Sequence, residues 1–409
     1  MKKHYFAFAA GLGLLAGVAG AQTNNGYLYY VGGGIADSGN ATTEDGTLTT
    51  DNGVFSVLVA DVAIGASNVS VNNWRYAAGV DLGNPLPADN PNTVDTEAYS
   101  WMFLENACHI YDGRIYVGPG DWNVDGSRST ADVVIHADIN PDGTLGAWTF
   151  SDVFPVPEGQ AICATALVDF GGGNAYYYVL GGTGSGTDRV LVSKIQANGT
   201  LGPWSTTTAL PEGDWFNRAT AVGDTIVHAT GNLATSLRAT HYATASSADG
   251  TLSAWTSSGS YQASPTAQQW DMAIASLSSP DDSDFVVIAG GNAADGKVFV
   301  SEVTAGVPGT WVEQATTLPT PVRRVAGNGW GDVMFVLGGT AGGSGVTVGI
   351  DDVQIGRIND AGVVTWSTSD TTSSIMAMPQ ARSFGGTAFE FTEFVEAPAN
   401  AEGVWTVYE

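Results

Sequence analysis

Two short stretches decide the fold: residues 176–182 read YYYVLGG, and residues 198–204 read NGTLGPW. In the first, an apolar run rich in aromatic residues ends at two glycines, which is typical of a β-strand stopped by a turn. In the second, the Asn-Gly pair supplies the positive backbone φ angles that a tight hairpin needs. A single tryptophan, Trp204, then marks the next strand. The two stretches together predict a small antiparallel sheet.

Both signals recur along the chain. Apolar runs stop at a glycine in six places, with first glycines Gly32, Gly118, Gly181, Gly231, Gly290 and Gly338. Each run has a companion tryptophan: Trp74, Trp148, Trp204, Trp255, Trp311 and Trp366. In five of the six repeats an Asn or Asp stands six residues before the tryptophan. A constant offset fixes the register, so every tryptophan should point to the same face. We predict repeats of four antiparallel strands, each about fifty residues long.

Four-stranded sheets of this kind cannot cover their own apolar faces. Radial stacking of the repeats buries those faces and closes a ring. We therefore predict an all-β protein, a β-propeller of six four-stranded blades, with the tryptophans buried between blades and the glycines at close backbone contacts. Residues 27–33 form a second strand without a first, and residues 383–391 resemble a first strand without a second. Pairing the two would close the ring. A further strand signal at residues 404–408 leaves a partial seventh blade open.

The order of signals within each repeat resembles the kelch repeat. An apolar strand, two glycines, a third strand and a tryptophan are followed by Leu-Pro, as at Leu210-Pro211 and Leu318-Pro319. The resemblance covers nearly all of the chain after residue 21. Two repeats depart from it, with Pro119 and Asn232 in place of the second glycine. It implies a kelch-type propeller similar to the central domain of galactose oxidases and to exported N-acetylneuraminate epimerases.

The N-terminus reads as a secretory signal peptide. Lys2 and Lys3 precede an apolar stretch, and Ala19-Gly20-Ala21 fits a cleavage site, which makes Gln22 the first mature residue. The apolar stretch is shorter than the roughly 20 residues that a membrane span needs. We expect a signal at residues 1–21, a single propeller domain at residues 22–409, and secretion to a periplasmic or extracellular location.

The net charge limits the classes of partner that the protein can bind. The formal net charge is −27. Binding to nucleic acid or to an anionic membrane requires concentrated Lys and Arg, so the sequence argues against both classes of partner.

The two cysteines, Cys108 and Cys163, start comparable strands in successive repeats. They could form a disulfide, which export permits, or remain as two buried thiols.

The candidate ligand-binding residues are arginines that follow a repeat tryptophan by 12 to 16 positions, each near the start of a blade's first strand. They are Arg218, Arg323, Arg324 and Arg382. In a kelch-like ring these starts face one mouth of the central channel. Comparable positions elsewhere hold Trp101, Gln160, Trp215 and Trp270. Arginines converging with aromatic side chains predict a pocket for a carboxylate or an anionic sugar. The alternative is that these arginines pair locally and close the ring.

No catalytic or metal motif stands out. The nucleophile elbow, the zinc-protease helix and the phosphate-binding loop are absent. The histidines lack the pairing that the copper site of a galactose-oxidase-like enzyme would need. Three aspartates within residues 281–284 could hold Ca²⁺, but they lack full EF-hand spacing and are typical of a solvated loop. We therefore expect no cofactor.

The sequence favours a non-catalytic binding module over an enzyme. Its partner would be a glycan, an anionic small molecule or a protein. The alternative implied by the resemblance is a sugar-acid epimerase or mutarotase that uses the same arginine-lined mouth.

Overall fold

The computed structural model describes most of the chain after residue 21. The described residues are 22–33, 56–78, 100–104, 108–124, 127–155, 162–182, 187–231, 238–262, 271–291, 295–341, 349–369, 374–379, 381–382 and 386–396. The predicted signal peptide, Gln160, Trp270 and the strand signal at residues 404–408 lie outside them.

Regular structure within the described residues is entirely β. The strands are β1 Gln22–Val31, β2 Val57–Gly65, β3 Val69–Ala78, β4 Ser100–Leu104, β5 Cys108–Tyr111, β6 Arg114–Val117, β7 Asp121–Val124, β8 Ser127–Thr130, β9 Ile135–Asp138, β10 Thr149–Phe150, β11 Ala164–Asp169, β12 Ala175–Leu180, β13 Val190–Ile195, β14 Ser205–Thr206, β15 Arg218–Val222, β16 Thr225–Ala229, β17 Ala239–Thr244, β18 Thr256–Ser260, β19 Ala273–Ser278, β20 Asp284–Ala289, β21 Val298–Thr304, β22 Val307–Pro308, β23 Val312–Glu313, β24 Val322–Arg323, β25 Ala326–Trp330, β26 Val333–Leu337, β27 Thr340–Ala341, β28 Val353–Ile358, β29 Val364–Thr368 and β30 Gly386–Glu396. The described part of the chain contains no helix long and apolar enough to cross a membrane.

These strands form a six-bladed β-propeller. From the channel outward, the blades are β30-β1-β2-β3, β5-β6-β9-β10, β11-β12-β13-β14, β15-β16-β17-β18, β19-β20-β21 with β22 and β23 both paired to β21, and β25-β26-β28-β29. The innermost strands neighbour one another in that order, and the last, β25, lies beside the first, β30. There are two small accessory sheets: β4-β7-β8, in which β7 is the middle strand, and β24 paired with β27. The prediction of six four-stranded blades is confirmed.

The ring closes where the two ends of the described chain meet. Strand β1 runs antiparallel to β30, with Tyr27 opposite Glu390 and Tyr29 opposite Ala388. The hydroxyl of Thr387 also donates a hydrogen bond to the Tyr29 carbonyl at 2.7 Å. The predicted pairing of the N-terminal and C-terminal strands is confirmed.

Trp204 and Trp311 join neighbouring blades through their indole N–H groups. Trp204 donates to Ser151 Oγ at 3.3 Å, and Trp311 donates to Thr240 Oγ1 at 2.8 Å, each acceptor lying in the preceding blade. Only these two tryptophans are buried, at 7% and 9% exposure. The other four are half-buried. The expectation of six buried tryptophans was therefore wrong for four of them. All six lie on or beside an outermost strand, where the blade edge meets solvent; Trp204 packs against Phe154 and Trp311 against Tyr261, with ring centroids 4.9 Å and 6.1 Å apart.

The glycine pairs lie where the backbones of neighbouring segments come close together, as the sequence predicted. Gly338 has a φ of +60°, and a Cβ there would lie 2.4 Å from the Arg382 carbonyl oxygen of the next segment. The following N–H, of Gly339, donates to that same carbonyl at 2.8 Å. Gly182 makes the equivalent bond to the Asp214 carbonyl at 2.8 Å. These turns thus pin each blade to the loop that leads into the next.

The cysteines are separate thiols. Cys108 and Cys163 are both buried and do not form a disulfide. Burial raises the pKa of the Cys108 thiol well above its usual range. The sequence left open a disulfide or two buried thiols, and the structure contains the two buried thiols.

Candidate functional site

A ring of strained backbone positions surrounds one end of the central channel. Ile162, Phe216, Asp271 and Arg324 each lie two residues before an innermost strand, and their φ angles are 57°, 56°, 58° and 57°. The N–H groups of the last three donate to the carbonyl of the member before, from Phe216 to Ile162 at 2.9 Å, Asp271 to Phe216 at 3.4 Å, and Arg324 to Asp271 at 3.0 Å. We call these four residues the mouth ring. Non-glycine residues in this region of φ are uncommon and often mark functional sites.

Asp271 is the central charged member of the mouth ring. Its side chain is fully buried, and its carboxylate lies 3.7 Å from Arg218 Nη2 and 3.8 Å from Arg324 Nε. Among the described residues, neither carboxylate oxygen has a hydrogen-bond partner. Burial raises the pKa of Asp271 to about 7, against the opposing effect of Arg218, Arg324 and Arg323. The mouth therefore holds a carboxyl group that can gain or lose a proton near neutral pH.

Arg218 and Arg324 flank this carboxylate and reach solvent. Arg218 begins strand β15; its Nε donates to the Met272 carbonyl at 3.1 Å and its Nη1 to the Asn217 carbonyl at 2.9 Å. The side chains of Arg218 and Arg324 are 14% and 21% exposed. The Arg218 guanidinium is thus held in place by backbone carbonyls, and both guanidinium groups remain partly accessible.

The other two predicted arginines are buried. Arg382 has no exposed surface; its Nη1 donates to the carbonyls of Gly32 and Ser56 at 3.2 Å, and its Nη2 donates to Ser56 Oγ at 2.7 Å. Arg323 is 3% exposed, and its Nε donates to Thr340 Oγ1 at 3.3 Å. The expectation that all four arginines line an accessible mouth was therefore wrong for Arg323 and Arg382. The Arg382 contacts are those of the ring-closing alternative, because they reach Gly32 and Ser56 of the adjoining blade, whereas Arg323 bonds within its own repeat.

The aromatic candidates are only partly described. Trp215 is half-buried and packs beside Phe216 of the mouth ring, with ring centroids 5.3 Å apart. The side chain of Trp101, in strand β4, lies outside what the structure describes, as do Trp270 and Gln160 as a whole. Trp215 is the described aromatic residue that the sequence predicted near the arginines.

A buried polar network holds the segment that carries Trp215 and Arg218. Asn217 Nδ2 donates to the Leu180 carbonyl at 3.1 Å and lies 3.0 Å from His228 Nε2. The Gly231 N–H donates to Asp214 Oδ2 at 2.6 Å. Burial lowers the pKa of His228 to about 3, so its imidazole is neutral and can accept through Nε2. Contacts within blade four and to blade three thus set the position of this part of the mouth.

Behind Arg218 the channel widens into a cavity of about 300 Å³ lined by the innermost strands of all six blades. His109 and Thr165 form one polar contact on its wall, with His109 Nε2 2.8 Å from Thr165 Oγ1. Burial lowers the pKa of His109 to about 4, so the ring is neutral at physiological pH. The cavity wall thus offers neutral polar groups, in contrast to the charged mouth.

The opposite end of the channel has a different character. A cavity of about 460 Å³ there is lined by Tyr111, Asp112, Asp169, Trp330, Glu390 and Phe391, among others. Trp330 and Phe391 stack with centroids 5.4 Å apart. Burial raises the pKa of Glu390 to about 7, and the charge of Asp112 adds to the rise. The two ends of the channel therefore differ in charge, with arginines at one and carboxylates at the other.

Sequence reasoning did not select Asp271, although it is adjacent to Trp270. The signal that could have found it is its register: Asp271 stands two positions before its strand, as Arg324 does before the next one. It also did not predict the acidic end of the channel. That end combines residues from strands far apart in the chain.

No metal centre is formed by the part of the chain that the structure describes: it contains no group of three or more His, Cys, Asp or Glu side chains able to hold an ion. In the loop suggested for Ca²⁺, Asp281 Oδ1 accepts a hydrogen bond from Ser279 Oγ at 2.5 Å. The Asp281 N–H in turn donates to Asp360 Oδ1 at 2.9 Å. Calcium binding at this loop remains an untested prediction.

Comparison with known proteins adds little beyond this geometry. No family model and no curated protein matches the chain. A solved structure described as "Structure of YjhT" is 14% identical, with a TM-score of 0.48, over 70% of this chain and 87% of that one. A similarity at that level carries no information on function.

Proposed function

We propose that this protein is an exported, kelch-like propeller that binds a small anion or an acidic glycan residue at the mouth formed by Arg218 and Arg324. The observation that carries the proposal is Asp271, fully buried between two partly exposed guanidinium groups and beyond hydrogen-bond distance of both. Burying a carboxylate without hydrogen bonds is costly. The buried charge attracts both guanidinium groups to one place without hydrogen-bonding to either through these atoms, and their exposed sides remain open to a ligand anion.

The local charge favours an anion. The chain carries a net charge of −27, yet two arginines converge within contact distance of one carboxylate. Guanidinium groups bind carboxylates through paired, charge-assisted hydrogen bonds. Trp215 and Phe216 lie next to Arg218 along the chain and offer aromatic surface to a sugar ring.

The dimensions favour a small ligand over a protein partner. The cavity of about 300 Å³ lies at the lower end of the range of roughly 300–1,000 Å³ typical of ligand sites. A stable protein interface would instead bury on the order of 1,200 Å² or more of surface. The mouth and the cavity behind it suit a ligand of about the size of a monosaccharide.

A sugar-acid epimerase or mutarotase is the second candidate function. The observation that favours it is the pKa of about 7 for Asp271, because a general acid–base catalyst works best near the operating pH. In that role Asp271, which is buried in this structure, would have to become exposed to move a proton on a sugar held by Arg218 and Arg324. Proton exchange NMR on the purified chain would detect accelerated interconversion of sugar anomers, and Asp271→Asn would abolish it.

The test of the binding proposal is calorimetry on the purified chain with D-glucuronate, D-galacturonate and N-acetylneuraminate, and with the neutral sugar D-glucose. We expect at least one acid to bind and glucose not to bind. Arg218→Ala and Arg324→Ala should each weaken binding by about 10-fold or more, since a hydrogen bond to a charged group contributes roughly 1.5–3 kcal/mol. Lys194→Ala removes a positive charge from the exposed surface and serves as the control. Equal binding by wild type and both arginine variants would overturn the proposal.

A further inference from the structure

We infer that a polar seam between blades four and five binds the hydroxyl groups of an acid that enters the channel with its carboxylate at Arg218. The polar seam consists of Arg218 and Thr220 on strand β15 and Ser276 on strand β19, which all line the cavity behind the mouth. The inference rests on the proposed function. It adds the orientation of the ligand and its chemical class, a polyhydroxy acid whose distal hydroxyls lie deepest in the channel.

The alternation of side chains along the strands places the three groups in the space between the two blades. Val222 of blade four and Ile274 of blade five belong to one buried cluster that joins these blades. Because alternate residues of a strand share a face, Arg218 and Thr220 lie on the same face of β15 as Val222. Ser276 likewise shares the face of Ile274. The polar side chains of the two strands therefore face each other across the seam.

The two hydroxyl groups of the polar seam are available to a ligand. Thr220 and Ser276 are half-buried and line the cavity. Within the described part of the chain, neither hydroxyl is hydrogen-bonded to another protein group. By contrast, the hydroxyl of Thr387, which lines the same cavity, donates to the Tyr29 carbonyl at 2.7 Å. A ligand hydroxyl can both donate and accept, so it can pair with either group of the seam.

The spacing along the strands sets the length of the ligand. The Arg218 guanidinium lies level with Met272, because its Nε donates to the Met272 carbonyl at 3.1 Å. Ser276 is four residues further along the chain, a distance of about 13 Å in a strand. A hydrogen bond of about 2.9 Å at each end leaves about 7 Å for the ligand. An extended chain of about six carbons, with bonds of roughly 1.5 Å, has that length.

The charges at the two ends of the channel set the orientation of the ligand. Arg218 lies at the mouth, whereas Asp112, Asp169 and Glu390 line the cavity at the far end. A ligand carboxylate is attracted to the first end and repelled by the second. The acid therefore binds with its carboxylate at the mouth and its neutral hydroxyls pointing inward. The hydroxyl next to the carboxylate stays near the mouth and does not reach Ser276.

The experiment compares two pairs of acids by NMR titration of the purified chain at pH 7.5. D-gluconate and hexanoate have six carbons, and D-lactate and propionate have three. We expect gluconate to bind about 20-fold or more tightly than hexanoate, since each of two hydrogen bonds contributes on the order of fivefold. Lactate and propionate should bind within about threefold of each other, because both are too short to span the seam.

Single substitutions then test the two hydroxyls. Thr220→Val and Ser276→Ala each remove one hydroxyl and should each weaken gluconate binding by about fivefold. Propionate binding should change much less, whereas Arg218→Ala should weaken the binding of all four acids. Thr220→Ser keeps the hydroxyl and should retain most of the affinity for gluconate. Thr256→Val, at an exposed position in the outermost strand of blade four, is the control.

The outcomes separate the two proposals. Equal binding of gluconate and hexanoate by the wild type would overturn the inference and leave the anion site standing. Binding of no acid at all would overturn both. Parallel losses of gluconate and propionate binding in Thr220→Val would assign Thr220 a structural role and would also overturn the inference. If Thr220→Val does not fold, Ser276→Ala and the comparison of gluconate with hexanoate in the wild type decide the question.

Discussion

The guanidinium of Arg218 and the carboxylate of Asp271 come from neighbouring blades and lie 3.7 Å apart. Arg218 Nε also donates to the carbonyl of Met272, the residue after Asp271, at 3.1 Å. The packing of blade four against blade five therefore sets the distance between the two charges. The mouth is built from side chains that do not repeat, placed on backbone that does.

Asp271 should make stability depend on pH in an unusual direction. Its pKa of about 7 in the folded chain lies above the value of about 3.9 expected when unfolded. Between these values the folded state binds more protons, so the free energy of unfolding falls as pH rises from about 4 to 7. Asp271→Asn should reduce that fall by on the order of 2–4 kcal/mol. Urea unfolding at pH 4.5 and 7.5 measures the effect.

Glu390 contributes in the same direction, because burial also raises its pKa to about 7. It is unchanged in the Asp271 variant, so only the difference between variant and wild type reports on Asp271. An identical pH dependence in the two proteins would show that Asp271 is not a titrating buried group.

Arg382→Ala should destabilise the ring far more than Arg324→Ala. Arg382 is fully buried and donates to two carbonyls and to Ser56 Oγ. Its loss would leave buried acceptors unsatisfied, at a cost of roughly 3 kcal/mol or more in the free energy of unfolding. Arg324 is partly exposed, and we expect its loss to cost about 1 kcal/mol. Urea midpoints compare the two, and equal losses would contradict the assignment of Arg382 to ring closure.

The indole hydrogen bonds between blades can be tested with a matched pair. Trp311 Nε1 donates to Thr240 Oγ1 at 2.8 Å, whereas Trp366 Nε1 is buried without a partner among the described residues. Trp311→Phe should lower the free energy of unfolding by about 2 kcal/mol, since it removes a hydrogen bond and buried area. Trp366→Phe removes an unsatisfied donor and should cost less than about 1 kcal/mol. A larger loss for Trp366→Phe would argue against this role of the hydrogen bond.

Gly338→Ala should expose the close contact between the sixth blade and the ring-closing segment. A Cβ at Gly338 would lie 2.4 Å from the Arg382 carbonyl oxygen, at a φ of +60°. Gly171 has a φ of +79° but open space around the same atom, so Gly171→Ala carries only the backbone strain of about 1–2 kcal/mol. Thermal unfolding should show the Gly338 variant lower in Tm by several degrees more. Equal shifts would mean that the blade relaxes around the added methyl group.

Much of the scaffold could be predicted because its signals are local. The glycine pairs and the tryptophans mark where strands stop and start, and residues 27–33 and 383–391 already indicated how the ring closes. Arg218 and Arg324 could be placed near the mouth from their spacing to Trp204 and Trp311. The same reasoning placed Arg382 there, although it is fully buried. Spacing reports position along a strand, but burial depends on which loops cover the side chain.

The sequence alone determined the repeated unit and the closure of the ring, and it favoured six blades over seven, because hydrophobic pattern and turn chemistry act over a few neighbouring residues. Only the tertiary structure decided that Asp271 lies between Arg218 and Arg324. It also decided that the far end of the channel combines Glu390 with Asp169 and Trp330. These groups belong to different blades. Their distances and their protonation depend on packing and desolvation, which no local pattern encodes.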